Sequence, residues 1–124
     1  MALDAIATPT LVESIPAHGK VLWCITGIEA DASTAIEIKA APGVGNAIYI
    51  THVILQSDDA DANPQLQDED DNVLIGAPYT TVEGVILNHK FENPLKLVSN
   101  KALELKAGAG GQVFVHVEGA IATG

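Results

Sequence analysis

A two-layer, all-β antiparallel sandwich, jelly-roll-like and of about eight strands, is predicted for this chain by three features. Short apolar runs recur with period two, each ended by Gly, Pro, Asn or Asp. No window carries apolar residues at i, i+3, i+4 and i+7 with caps, so substantial helix is not expected. The run Ala40 to Gln56, AAPGVGNAIYITHVILQ, sets a Pro/Gly turn directly before a long β-branched stretch. Pro42 fixes its own φ while Gly43 and Gly45 admit positive φ, so the chain can reverse before Ala47 and then run extended.

Residues 1–19 hold Pro9, Pro16 and Gly19 among scattered apolar side chains, a pattern that discourages helix and predicts an extended arm or a first edge strand. Residues 20–124 then form one sandwich domain, with no linker and no repeat of solenoid length. Lys20 to Thr26 places Val21, Trp23 and Ile25 on one face, which makes Trp23 a core residue. Thr34 to Lys39 turns Ile36 and Ile38 inward. Ala47 to Gln56 is apolar on both faces and is expected to be covered on both. After an acidic loop come Asn72 to Ile75, Val82 to Leu87, Leu95 to Ser99 and Leu103 to Lys106. Gln112 to Glu118 closes the series with the stripe Val113, Val115 and Val117, after the Gly-rich turn at 108–111.

A chain of 124 residues and 12.9 kDa suffices for one core, and its 48% hydrophobic residues with a net charge of −10 imply an apolar interior beneath an acidic surface. It has no arginine, and six lysines face sixteen carboxylates, so neither nucleic acid nor an anionic membrane is an expected partner. The single cysteine, Cys24, lies in an apolar run, which predicts a buried free thiol and manufacture in a reducing cytoplasm. The first residues lack a basic segment followed by a continuous apolar one, so a secretory signal is not expected.

Candidate sites are sparse. Asp58 to Asp71 carries seven carboxylates in fourteen residues and partly imitates a calcium loop, with Asp59, Asp61 and Asn63 at alternating ligand positions and Asp70 at the twelfth. Pro64 stands where such a loop turns on glycine, so a solvated acidic loop is the expectation and no metal is assigned. His18, His52, His89 and His116 fall in four separate segments without a His-x-His pair, and each is expected to stand alone. Cys24 and the serines lack the context of an activated nucleophile. Tyr79 and Phe91 sit in segments that read as loops, a poor aromatic supply for a sugar-binding face. The expectation is a protein that is no enzyme and needs no cofactor.

Several elements together resemble the small virion proteins of tailed bacteriophages. These are the turn Ala41 to Gly45, the strand Ile48 to Gln56, the hydrophobic run Leu95 to Ser99, the Ala-Leu-x-Leu strand Ala102 to Lys106, the turn Gly108 to Gly111 and the closing Val113 to Gly119. The resemblance covers about half the chain. Asn46 departs from it, standing where a basic residue is frequent. It implies a jelly-roll capsid decoration, or cement, protein. Such a protein is a homotrimer on the outer surface of a phage head, bound between major capsid subunits. Within that role Leu3, Ile6, Leu11, Val12 and Ile15 of the arm become candidate capsid-binding residues. The alternative expectation is a receptor- or glycan-binding module of a phage tail or fibre.

Overall fold

The computed structural model describes residues 3, 7–59, 62–76, 86–108 and 111–124. Nine strands appear among them: β1 (Thr10–Leu11), β2 (Val21–Glu29), β3 (Ile36–Lys39), β4 (Asn46–Ser57), β5 (Gln65–Asp68), β6 (Val73–Gly76), β7 (Ile86–Lys96), β8 (Leu103–Lys106) and β9 (Val113–Thr123). They form a five-stranded sheet in the order β1-β7-β4-β9-β2 and a four-stranded sheet in the order β3-β8-β5-β6, with every pairing antiparallel. The pairs nest: β2 with β9, β3 with β8, β4 with β7 and β5 with β6. Such a long hairpin, rolled so that alternate pairs fall in opposite sheets and joined by the β4–β9 and β5–β8 ladders, is a jelly roll. No helix among the described residues is long and apolar enough to cross a membrane.

The turn before β4 takes the predicted form, with Gly43 and Gly45 at φ of 101° and 84°. The Gly43 amide donates to Asn100 Oδ1 at 2.9 Å, and the Asn100 amide donates to the Asn46 carbonyl at 2.8 Å, so the two turns at this end brace each other. β4 then runs between β7 and β9, and both ladders shift register between Ile50 and His52. On the β9 side Thr51 is one extra residue, and it reverses the alternation of β4. Ile48 and Ile50 before it, and Val53 and Leu55 after it, therefore all face the core, each fully buried.

β9 keeps its register, and Gly119 lies opposite the bulge. A Cβ at Gly119 would collide with the Tyr49 carbonyl oxygen and stand 3.1 Å from the Trp23 ring, so this position requires glycine for close approach of β4. Trp23 packs against the core as its spacing predicts, with Lys39 Nζ 5.6 Å from its ring centre.

Several expectations change. Cys24 is exposed rather than buried, because turning Trp23 and Ile25 inward by alternation places Cys24 on the outer face of the sheet, and Val21, expected to go inward with them, is exposed at the start of the edge strand. The acidic segment is not a continuous loop. It contains β5, where Leu66, Gln67 and Asp68 are buried between β8 and β6. Leu95 belongs to the same strand as Leu87, since β7 runs from Ile86 through Lys96; residues 82–85 lie outside the described part. Pro94 is tolerated within β7 because the ladder to β4 jumps from Lys90 to Leu95, leaving residues 91–94 out of it. Phe91 is consequently a strand residue, stacked edge-on against His89 at 4.5 Å. Tyr79 lies outside the described residues.

Leu66→Ala is expected to cost about 2–5 kcal/mol, read by urea unfolding, because it opens a cavity between the sheets. The exposed Val44→Ala control should stay within about 0.5 kcal/mol. Gly119→Ala should destabilise by about 1–3 kcal/mol or more through overpacking against β4.

Candidate functional site

The outer face of the five-stranded sheet gathers the polar side chains that strand spacing alone leaves scattered. Antiparallel register sets Cys24, Glu118 and His52 in one row across β2, β9 and β4, and Thr26, His116 and Ile54 in the next. His116 and Glu118 are two apart on β9 and so share this face. Glu118 Oε2 accepts from His52 Nδ1 at 3.1 Å and from His116 Nε2 at 3.0 Å. The Thr26 hydroxyl meets His116 Nδ1 at 2.6 Å, and His52 Nε2 meets the Asn88 side-chain amide at 2.7 Å. A continuous chain Thr26–His116–Glu118–His52–Asn88 thus crosses four strands. The two imidazoles stand edge to face, 6.1 Å between centres.

The expectation that each histidine stands alone fails for this pair. His52 and His116 come from strands far apart in sequence, and only the β4–β9 register brings them together. His52 and His116 occupy comparable positions on their strands, which leaves an approach in space open, but the sequence carries no signal for the register that joins them. His18 contributes its carbonyl to the Thr123 amide, and His89 packs on Phe91.

The arrangement fixes rotamers and holds protons between two bases and one acid. The two ring N–H donors hold the Glu118 carboxyl below its ordinary value, His116 contributing most. Cys24 Sγ lies 3.9 Å from His116 Nε2 and borders an open depression of about 360 Å³ with Leu22, Thr51 and Glu118. Among the described residues no group of three His, Cys, Asp or Glu is set to hold a metal ion.

The acidic residues do structural work instead. Asp68 accepts from the Asp70 amide at 2.9 Å and from the Asn72 amide and side chain at 3.0 Å each, which closes the β5–β6 turn. Glu69 accepts from the Ala102 amide at 2.9 Å, and Asp70 pairs with Lys101 at 2.9 Å, which raises the lysine's pKa. Of the calcium-loop positions, Asp61 lies outside the described residues. Asp59 and Asn63 precede β5, whereas Asp70 follows it. The extended strand, at about 3.3 Å per residue, holds Asp70 away from the other two.

Of the arm candidates, Leu3 and Leu11 are exposed, and Ile6 lies outside the described residues. Val12 and Ile15 pack on the protein's own outer face against Ala47, Tyr49 and Ala122. β1 adds to the edge of β7, with Leu11 opposite Leu95.

No protein-family model matches the chain, and no curated protein matches it.

Glu118 sets a pH dependence whose sign is determined. Its folded-state value lies below the unfolded one, so its contribution to stability is complete above about pH 4.5 and is lost as pH falls through the depressed folded value. The Glu118→Gln variant should therefore show a flatter fall in melting temperature below pH 4.5, measured by calorimetry across acid pH.

Proposed function

We propose that this chain is a structural virion protein that decorates a tailed-phage head, bound between major capsid subunits and self-associating on the outer capsid surface. The observation that carries this reading is the nested eight-strand jelly roll, an architecture shared by viral capsid domains, lectins and cupins. Fold alone does not choose among these. The character of the two sheet faces favours the structural role. Between the sheets, where a cupin-type centre would hold its ligands, the space is filled by Ile50, Val53, Leu55, Leu66, Leu105 and Val117. The paired histidines lie instead on an open outer face, and a net charge of −10 suits a particle surface that must not aggregate.

The arm supplies a means of attachment. Its proximal part, Val12 and Ile15, is anchored on the domain, which leaves Leu3 and Leu11 to reach a capsid neighbour.

Co-sedimentation with empty phage heads, followed by electron microscopy, tests the reading. Saturable binding at regular head positions supports it. Failure to pellet with heads, or labelling of tails alone, overturns it and favours the tail module. Deletion of residues 1–9 combined with Leu11→Ala, which spares Val12 and Ile15, should leave thermal stability largely intact and abolish head binding. Undiminished binding would remove the arm from the mechanism.

A further inference from the structure

The outer edge of β2 is a long unfinished surface among the described residues. β2 ends the five-stranded sheet, and among the described residues no strand pairs with its far side. Every second residue of this nine-residue strand therefore presents unpaired backbone groups, flanked by side chains that an edge in contact with water does not favour. Leu22 is 74% exposed, Ile28 66% and Val21 61%. Edge strands usually carry charge or proline for protection, and between Val21 and Ile28 this one has neither.

The sequence of β2 is self-complementary about its centre. In an antiparallel pair, residues directly opposite lie on the same face. A twofold axis at Ile25, perpendicular to the sheet, sets Leu22 opposite the partner's Ile28 on the outer face, and does so twice. The two most exposed apolar residues of the strand would cover each other. On the inner face the same register sets Trp23 opposite the partner's Gly27, where a Cβ would meet nothing within 4 Å, so there is room beside the glycine for the indole. Cys24 falls opposite the partner's Thr26, and Ile25 opposite the partner's Ile25. Charge selects the same direction. Lys20 precedes β2, while Glu29 and Asp31 lie at its other end, so antiparallel pairing brings the basic end of each copy to the acidic end of the other. A shift of the axis to Cys24 would oppose Leu22 to the partner's Thr26 and Lys20 to the partner's Ile28, losing the apolar match.

We propose that β2 pairs with β2 of a second copy of this chain about a twofold axis at Ile25, joining two five-stranded sheets into one continuous ten-stranded sheet. The contact is isologous, and it removes both exposed edges at once. It goes beyond the decoration role and stands whether or not that role does. A threefold contact elsewhere on the molecule remains compatible with it, in an assembly of six.

Light scattering coupled to gel filtration tests the proposal on the full chain. The expected mass is twice 12.9 kDa, or six times that value where a threefold contact also forms. Leu22→Glu with Ile28→Glu sets like charges opposite each other in both pairs and should weaken the β2 contact about tenfold or more, giving monomers or, from six copies, trimers. Leu22→Lys with Ile28→Glu sets opposite charges together and should retain the wild-type mass. Circular dichroism checks that both variants fold. Thr26→Cys reads the register, because Cys24 then faces a cysteine of the partner at a separation that suits a disulfide. Mild oxidation should give a covalent dimer of this variant. A wild type that is monomeric at every concentration, or a mass unchanged in Leu22→Glu/Ile28→Glu, overturns the proposal. Loss of association in both charge variants alike, or no cross-link in Thr26→Cys, overturns the register.

Discussion

The structure depends on one extra residue in its central strand. β4, like β9, has long partners on both sides, here β7 and β9, and its two halves would bury opposite faces if its alternation were unbroken. Thr51 reverses the alternation at mid-strand, and its hydroxyl donates to the Glu118 carbonyl at 3.1 Å, stapling the bulge to β9. Four large side chains thereby enter one core instead of two on each face. Burial of each stabilises the fold by roughly 1.5–3 kcal/mol, so a failure of the bulge would forfeit half the contribution of the strand. Gly119 is the counterpart in β9: the partner backbone comes so close at the bulge that no side chain fits.

The outer face takes its character from the same point. Before the bulge, Ala47 and Tyr49 point outward and are covered by Val12 and Ile15, while the Tyr49 hydroxyl donates to the Thr123 carbonyl at 2.6 Å. Burial pushes the Tyr49 phenol up, which keeps it a neutral donor. After the bulge, His52 occupies the outward position and joins Glu118. One face of one sheet therefore has a covered apolar end and a polar middle. The arm serves the domain before it serves any partner, since its first strand and the two residues that follow complete a surface which the long strands leave unfinished.

Legibility in the sequence followed alternation closely. β2, β3, β8 and β9 are amphipathic with period two, and their inward residues were evident from Trp23 and Ile25 and from Val113, Val115 and Val117, although Val21, read with the first group, lies exposed at the start of the edge strand. β5 was not legible, because a four-residue strand with one apolar side chain between two glutamines carries no periodic signal. Its glutamine is held by neighbours: Gln67 Nε2 donates to Asp71 Oδ1 at 3.0 Å and to Glu104 Oε1 at 3.2 Å. The bulge was hidden for a related reason. A run of apolar residues on both faces looks the same whether both faces are covered or the strand changes face half-way. The histidine pair was invisible because its two members meet only through register between distant strands, and register is a property of the assembled sheet.

Clustered acidity in this protein is mainly a device for closing turns. Carboxylates crowded into Asp68 to Asp71 would repel one another if merely solvated, yet each of the first three has a donor: amides beyond the turn for Asp68, the Ala102 amide for Glu69 and the Lys101 ammonium for Asp70. Charge-assisted bonds to backbone amides are stronger than neutral ones, which lets a short hairpin without a large apolar face hold its place beside β8. Asp71 at φ of 64° and Asn63 at 44° take left-handed backbone that Asn and Asp tolerate better than most residues. Composition alone suggests a ligand for such a segment. The donors already in place make Asp68 to Asp70 a fastening of β5 and β6, and so part of the core's closure.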